Sequence, residues 1–180
     1  MDSGQPNPQS TPPATPAGPA PSYDPAKVQA FRNQMAQEQN LGLGIVGGLA
    51  AALVGAAVWA GVTVTTNYQI GWMAVGVGFL VGYAVRMLGK GVTPVFGVTG
   101  AACALVGCLL GNLFTGCWFV AAEEGVSLGT VFAAMGPELA GLILKATFSP
   151  MDLLFYGIAV YEGYKFSFRQ VTAAELQTLV

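Results

Sequence analysis

The chain has 180 residues, of which 53% are hydrophobic and 9% are charged, and its net charge is −2. Soluble domains carry about 25% charged residues, so this composition argues against a water-soluble globular protein, and the negative charge argues against a nucleic-acid-binding one. Histidine is absent, which excludes histidine-based general bases, nucleophile pairs and metal sites.

Residues 1–23 form a tail that is rich in proline, serine, threonine and glutamine. Seven of the eleven prolines lie in it, and it has almost no apolar side chains to bury. Such a segment cannot offset the conformational entropy that ordering would cost. We therefore predict that the tail is disordered.

A helix is predicted at 24–40, directly before the first long apolar stretch. Asp24 and Pro25 form a helix start, with aspartate as the N-cap and proline at the first helical position. Val28, Phe31 and Met35 recur at helical spacing on one face. This pattern indicates a juxtamembrane amphipathic helix that lies against the membrane surface.

The segment 41–168 contains four apolar stretches, each close to or above the roughly 20 residues that a helix needs to cross a bilayer. A backbone in hydrocarbon must satisfy its own hydrogen bonds, so these stretches are expected to be helices. The predicted fold is all-α, a polytopic membrane helical bundle of four transmembrane helices. The spans are expected at about 41–64, 70–88, 92–120 and 150–168.

Two amphipathic pieces are predicted between the third and fourth spans, at 126–147. Gly136 and Pro137 separate them, because proline breaks a helix that would otherwise continue. We interpret them as interfacial or re-entrant helices, and a fifth span is the alternative. Residues 169–180 form a short cytoplasmic C-terminal segment, in which Thr172 and Glu175 make a capping box.

Basic residues predict the orientation of the spans. Six of the seven basic residues fall on one side of a four-span chain, and only Lys145 falls on the other. By the positive-inside rule both termini are cytoplasmic. This orientation predicts a location at the outer membrane–water interface, where tryptophan is enriched, for Trp59, Trp72 and Trp118. An integral protein of a bacterial inner membrane is the expected localisation.

Small residues recur at four-residue spacing in the first three spans. Such ridges let helix backbones approach closely in lipid, either within one chain or between copies of it. Asn112, deep in the third span, is expected to form a polar contact between helices. The predicted helix-packing glycines are Gly44, Gly48, Gly78, Gly82, Gly107 and Gly111.

Arg86, Glu162 and Lys165 are the candidate intramembrane charges. Charged side chains within spans are costly and often mark functional sites. Arg86 and Glu162 are both expected near the cytoplasmic ends of their spans, so we predict an ion pair between these helices, with Lys165 as a third partner. A structural pair is one interpretation, and a proton or cation site is the other.

No catalytic residue set, metal site or cofactor site is predicted. The most favoured function is therefore a non-enzymatic structural, assembly or interaction subunit, in a homo-oligomer or a larger membrane complex, with the lipid bilayer as its environment. The alternative is a small channel or transporter that uses Glu162 and Arg86.

Overall fold

The computed structural model describes residues 23–68 and 71–179, and the regular structure of this part is entirely helical. The predicted disordered tail therefore lies outside the described residues, except for Tyr23. An all-helical fold is confirmed. The helices are α1 (Pro25–Glu38), α2 (Leu41–Thr66), α3 (Trp72–Gly89), α4 (Pro94–Glu124), α5 (Leu128–Ala133), α6 (Pro137–Thr147), α7 (Pro150–Phe166) and α8 (Ala173–Gln177).

Local sequence signals explain where several helices begin. The Asp24 carboxylate accepts a hydrogen bond of 2.8 Å from the Ala26 N–H, which caps α1. Ser149 and Asp152 form a capping box on α7, in which the Ser149 N–H donates to the Asp152 carboxylate at 2.8 Å. These side chains satisfy N–H groups that have no partner inside their helix.

Breaks in the helical pattern also lie where the sequence predicts them. Pro137 is the first residue of α6 and separates it from α5. α4 continues to Glu124, four residues past the predicted end of the third span, and stops at Gly125, whose φ of 65° is left-handed. Glycine adopts this conformation without the steric penalty of a Cβ.

Four long helices make up the bundle. α3 and α4 pack against each other, α2 lies on one side of this pair, and α7 lies on the other. Within the described residues the backbones of α2 and α7 do not approach each other closely, and the two helices meet through the Trp59 and Tyr156 rings. α5 and α6 pack against α4; Ile143 of α6 contacts α4 at Gly116, near its C-terminal end. We call this end of the bundle the α5–α6 end, and the opposite end, where α1 lies, the α1 end.

Three helices are long and apolar enough to cross a membrane, namely α2, α3 and α4. α6 and α7 satisfy the same criteria only together, and they meet at an angle of 103°. The pair is therefore a broken span or a re-entrant loop, and the number of candidate spans is three or up to four.

The terminal segments meet at the α1 end. The Asp24 N–H donates to the Leu179 carbonyl at 2.9 Å, which joins the beginning of α1 to the residues after α8. The Asn40 N–H donates to the Gly89 carbonyl at 2.9 Å, so the end of α1 is also tied to the α3–α4 link. Phe31 and Met35 line a cleft together with residues of α8, so the apolar face of α1 is turned toward the C-terminal segment.

Candidate functional site

The structure does not bring the three predicted charges together. The Arg86 guanidinium carbon lies 5.8 Å from the centre of the Tyr83 ring, and the Lys165 amine lies 5.5 Å from that of Tyr161. Both distances are within the range of cation–π interactions. Among the described residues the ion pairs involve neither Arg86, Glu162 nor Lys165, so the predicted pair is not formed.

The register of α3 against α7 explains this separation. A Cβ added at Gly78 would meet the backbone of Ala159, and one added at Gly82 would lie 3.1 Å from the Gly163 carbonyl oxygen. The helices therefore run in parallel, and a residue of α3 is level with the residue 81 positions later in α7. Arg86 is thus level with Ser167, which lies five residues and about 7.5 Å along the axis beyond Glu162.

A different charged cluster holds the α1 end together. Arg169 donates to Glu38 at 2.7 Å and to Glu175 at 2.9 Å, and we call these three residues the terminal clasp. The Arg169 hydrogen bond is the main cause that holds the pKa of Glu38 below its ordinary value. Hydrogen bonds from Thr172, together with one from Arg169, lower the pKa of Glu175.

Sequence reasoning missed the terminal clasp. Glu38 and Arg169 are 131 positions apart, and no local pattern relates them. A sequence signal existed only for its Thr172–Glu175 part, the predicted capping box, which the structure contains.

The six predicted glycines lie against neighbouring helices of the same chain. A Cβ at Gly48 would lie 2.8 Å from Val85 of α3, and one at Gly107 would lie 3.2 Å from the Ala52 Cβ of α2. Distances below 3.0 Å require a neighbour to move. The surfaces around these glycines are thus already covered by helices of the same chain, and contacts between copies of the chain would need other surfaces.

A further close crossing lies between α4 and α7 and was not predicted. A Cβ on Gly163 would lie 2.7 Å from the Gly100 carbonyl oxygen and 2.8 Å from the Ala104 Cβ. Gly163 also faces Gly82 of α3, so α7 is wedged between both central helices. Ala159 and Gly163, and likewise Gly100 and Ala104, repeat the same four-residue spacing and could have been found from the sequence.

Asn112 forms a contact between helices. Its side-chain amide donates to the Tyr156 hydroxyl at 2.5 Å, and the Tyr156 hydroxyl donates to the Cys108 carbonyl at 3.3 Å. Asn112 is 1% exposed and Tyr156 is 5% exposed. The bonds join α4 to α7 inside the bundle, where polar groups need partners.

Further polar groups surround this contact. Asp152 is buried one turn before Tyr156 on the same face of α7. Trp59 packs edge-on against the Tyr156 ring, with centroids 6.4 Å apart. The Trp59 indole N–H and the Thr63 hydroxyl are buried without a hydrogen-bond partner among the described residues. We call Trp59, Thr63, Asn112, Asp152 and Tyr156 the buried polar cluster.

The buried polar cluster places polar side chains of α2, α4 and α7 inside the bundle. It contains two donors without a hydrogen-bond partner among the described residues, the Trp59 indole N–H and the Thr63 hydroxyl, as well as the Asp152 carboxylate and the Tyr156 hydroxyl. On the side toward the α1 end, the crossing of Gly100 and Gly163 brings backbone against backbone. The close packing of α4 on α7 at this crossing therefore separates the cluster from the α1 end along the α4–α7 interface.

Two largely apolar grooves open at the α5–α6 end. One, of about 510 Å³, lies between α2, α4 and α5 and includes Phe114, Trp118 and Phe132. The other, of about 420 Å³, lies between α4 and α6 and includes Leu139 and Leu142. Comparison of the chain with family models, curated proteins and solved structures finds no significant match, so its function must be inferred from this geometry.

Proposed function

We propose that the protein is a multi-pass integral membrane protein in which α7 is the fourth span. α3 is a candidate span, and α7 runs parallel to it in close register. The 17 residues of α7 are about 26 Å long, nearly the 30 Å of the hydrocarbon core. If α3 crosses the membrane, the register implies that α7 crosses at the same depth.

The proposed orientation has both termini in the cytoplasm, in the inner membrane of a bacterium. Two features support it. Six of the seven basic residues belong to the α1 end of a four-span chain, and the hydrogen bond between Asp24 and Leu179 keeps both described ends of the chain on one side.

Within the membrane, we propose a structural or assembly role and no enzymatic one. The observation that carries this proposal is the backbone-to-backbone packing of α7 on α3 and α4, at Gly78 with Ala159 and at Gly100 with Gly163. Such packing gives a rigid bundle that presents fixed apolar surfaces. The grooves at the α5–α6 end are surfaces on which a second copy or another subunit could pack.

Purification in a mild detergent, followed by native mass spectrometry and identification of co-purified proteins, tests this role. We expect a homo-oligomer or a stoichiometric larger complex. Leu142→Gln, at an exposed groove residue, should dissociate it, whereas the equally exposed Leu153→Gln on α7 should not. A monomer at all protein concentrations, with no co-purified protein, would contradict the proposal.

A small channel or transporter is the second candidate, and the buried polar cluster is what favours it. Asp152 and two unused donors lie inside the bundle, whereas Arg86 and Glu162, the groups first suggested for transport, do not pair. Ion or proton flux by the purified protein in liposomes, lost in Asp152→Asn but retained in Glu162→Gln, would support this function over the structural one.

A further inference from the structure

A cleft of about 320 Å³ at the α1 end concentrates the positive charge of the chain. It lies where the last turns of α1 and α3 meet the segment after α7. Arg86, Lys90 and Arg169 line it, three of only seven basic residues. Glu38 also lines it, and its carboxylate is held by Arg169 at 2.7 Å. We call this the basic cleft, and it carries an excess of positive charge.

Two of its cations, Arg86 and Lys90, make no direct ion pair, although the charge of Lys90 also acts on Glu38. The Arg86 guanidinium carbon lies 5.8 Å from the centre of the Tyr83 ring, and Lys90 is exposed. Neither forms an ion pair within residues 23–68 and 71–179. Their N–H donors are therefore available to an anion, and arginine in particular offers a fork that suits phosphate oxygens.

The backbone fixes the positions of these cations. Lys90 follows α3 with a left-handed φ of 49°, and its N–H donates to the Arg86 carbonyl at 3.0 Å. Glycine is the usual residue in this conformation, so a lysine here is conformationally unfavourable and suggests a use for its charge. The Arg169 N–H donates to the Gly91 carbonyl at 2.8 Å, which holds the third cation beside the same link.

We propose that the basic cleft binds the phosphate of an anionic phospholipid headgroup. Tyr83 and Met87 on its rim are 44% and 59% exposed and belong to the last two turns of a candidate span. A headgroup in the cleft would leave its acyl chains against this apolar rim. Basic pockets between spans on the cytoplasmic side are known to hold such lipids. This inference rests on the proposed membrane placement of α3 and α7, but not on the structural role.

Lipid retention by the full-length protein tests the proposal. The protein is incorporated into nanodiscs of phosphatidylcholine with a minor share of phosphatidylglycerol of the same chains, then released and analysed by native mass spectrometry. We expect retained phosphatidylglycerol on the wild type. Arg86→Gln with Lys90→Gln should lower retention about fivefold for each charge removed, as expected for basic residues at an anionic surface.

Two variants serve as controls. Lys145→Gln removes an exposed cation at the opposite end, on α6, and should retain the lipid as the wild type does. Arg86→Lys with Lys90→Arg keeps both charges and should retain most of it, which keeps the test valid if the neutral variant fails to fold.

Three results would overturn the proposal. The first is equal lipid retention in the neutral double variant and the wild type, and the second is a loss of lipid in Lys145→Gln as large as that in the double variant. The third is displacement of the lipid by glycerol 3-phosphate at similar concentration, which would identify a free-phosphate site instead. Failure of the protein to enter nanodiscs at all would contradict its proposed membrane placement, and this outcome is distinct from a loss of lipid binding by the inserted protein.

Discussion

Gly78 and Gly76 lie two residues apart in α3 and have opposite surroundings. An added Cβ at Gly78 would meet the backbone of Ala159, whereas a Cβ at Gly76 would meet nothing within 4 Å. A backbone contact cannot be relieved by a change of rotamer. The two positions therefore provide a matched pair for measuring how much the close approach of α3 and α7 contributes to stability.

We predict that Gly78→Ala destabilises the protein by about 1–3 kcal/mol, the usual cost of overpacking a core. Gly76→Ala adds the same methyl group in open space and should be neutral or slightly stabilising, because alanine favours helix. Thermal melting in detergent, followed by circular dichroism, measures both changes. Equal melting temperatures for the two variants would show that α3 and α7 do not pack as described.

The hydrogen bond between Asn112 and Tyr156 gives a second prediction for single residues. We expect Asn112→Ala and Tyr156→Phe each to destabilise the bundle, and the double variant to lose less than the sum. A coupling of roughly 0.6–2 kcal/mol is typical of hydrogen bonds between membrane helices. Unfolding measured for the full double-mutant cycle tests this, and strict additivity would mean that the bond contributes nothing.

Residue burial was only partly predictable from the sequence. Trp59, Trp72 and Trp118 were all expected at the outer interface, but Trp59 is 0% exposed while Trp72 is 70% exposed. Sequence position indicates how deep a residue lies along a span. It does not show which face of the helix meets lipid, because that depends on the neighbouring helices.

The elements themselves were predicted more accurately than their arrangement. Capping boxes and prolines located the start of α7 and the break between α5 and α6, since these signals act over a few residues. The absence of the Arg86–Glu162 pair reflects the axial register of α3 and α7. That register is set by contacts such as Gly82 with Gly163, which join residues far apart in the chain.

Cysteine labelling from outside the cell tests whether α7 is a span. In a background without the three native cysteines, Ser127→Cys between α4 and α5 should react with a membrane-impermeant maleimide. Gln37→Cys and Thr178→Cys, both exposed at the α1 end, should react only after the membrane is permeabilised. External labelling at Thr178 but not at Gln37 would place the ends of the chain on opposite sides and contradict the four-span arrangement.

At the scale of the whole molecule, the terminal clasp links the first and last described helices through charge. Both carboxylates have a pKa below the ordinary value of 4.5. Their contribution to folding is therefore complete above the unfolded pKa and is lost as the pH falls through the lower folded pKa. The clasp should be fully formed at neutral pH and should open in acid.

Distance measurements between spin labels at Ala26→Cys and Gln177→Cys test this pH dependence, again without the native cysteines. We predict a narrow distance distribution at pH 7 that broadens as the pH falls below about 4.5. Arg169→Gln should give the broad distribution already at pH 7. A distribution that stays narrow in acid and in Arg169→Gln would show that the hydrogen bond between Asp24 and Leu179 suffices to hold the ends.

The wedged position of α7 has a consequence for biosynthesis. The ribosome makes α2, α3 and α4 before α7, so the groove of small residues between α3 and α4 must first face lipid or an insertion factor. α7 is short and has charged residues in both its first and last turns, which makes it a poor candidate for independent insertion. Its entry into the bilayer would then depend on docking into a groove that the earlier helices have already prepared.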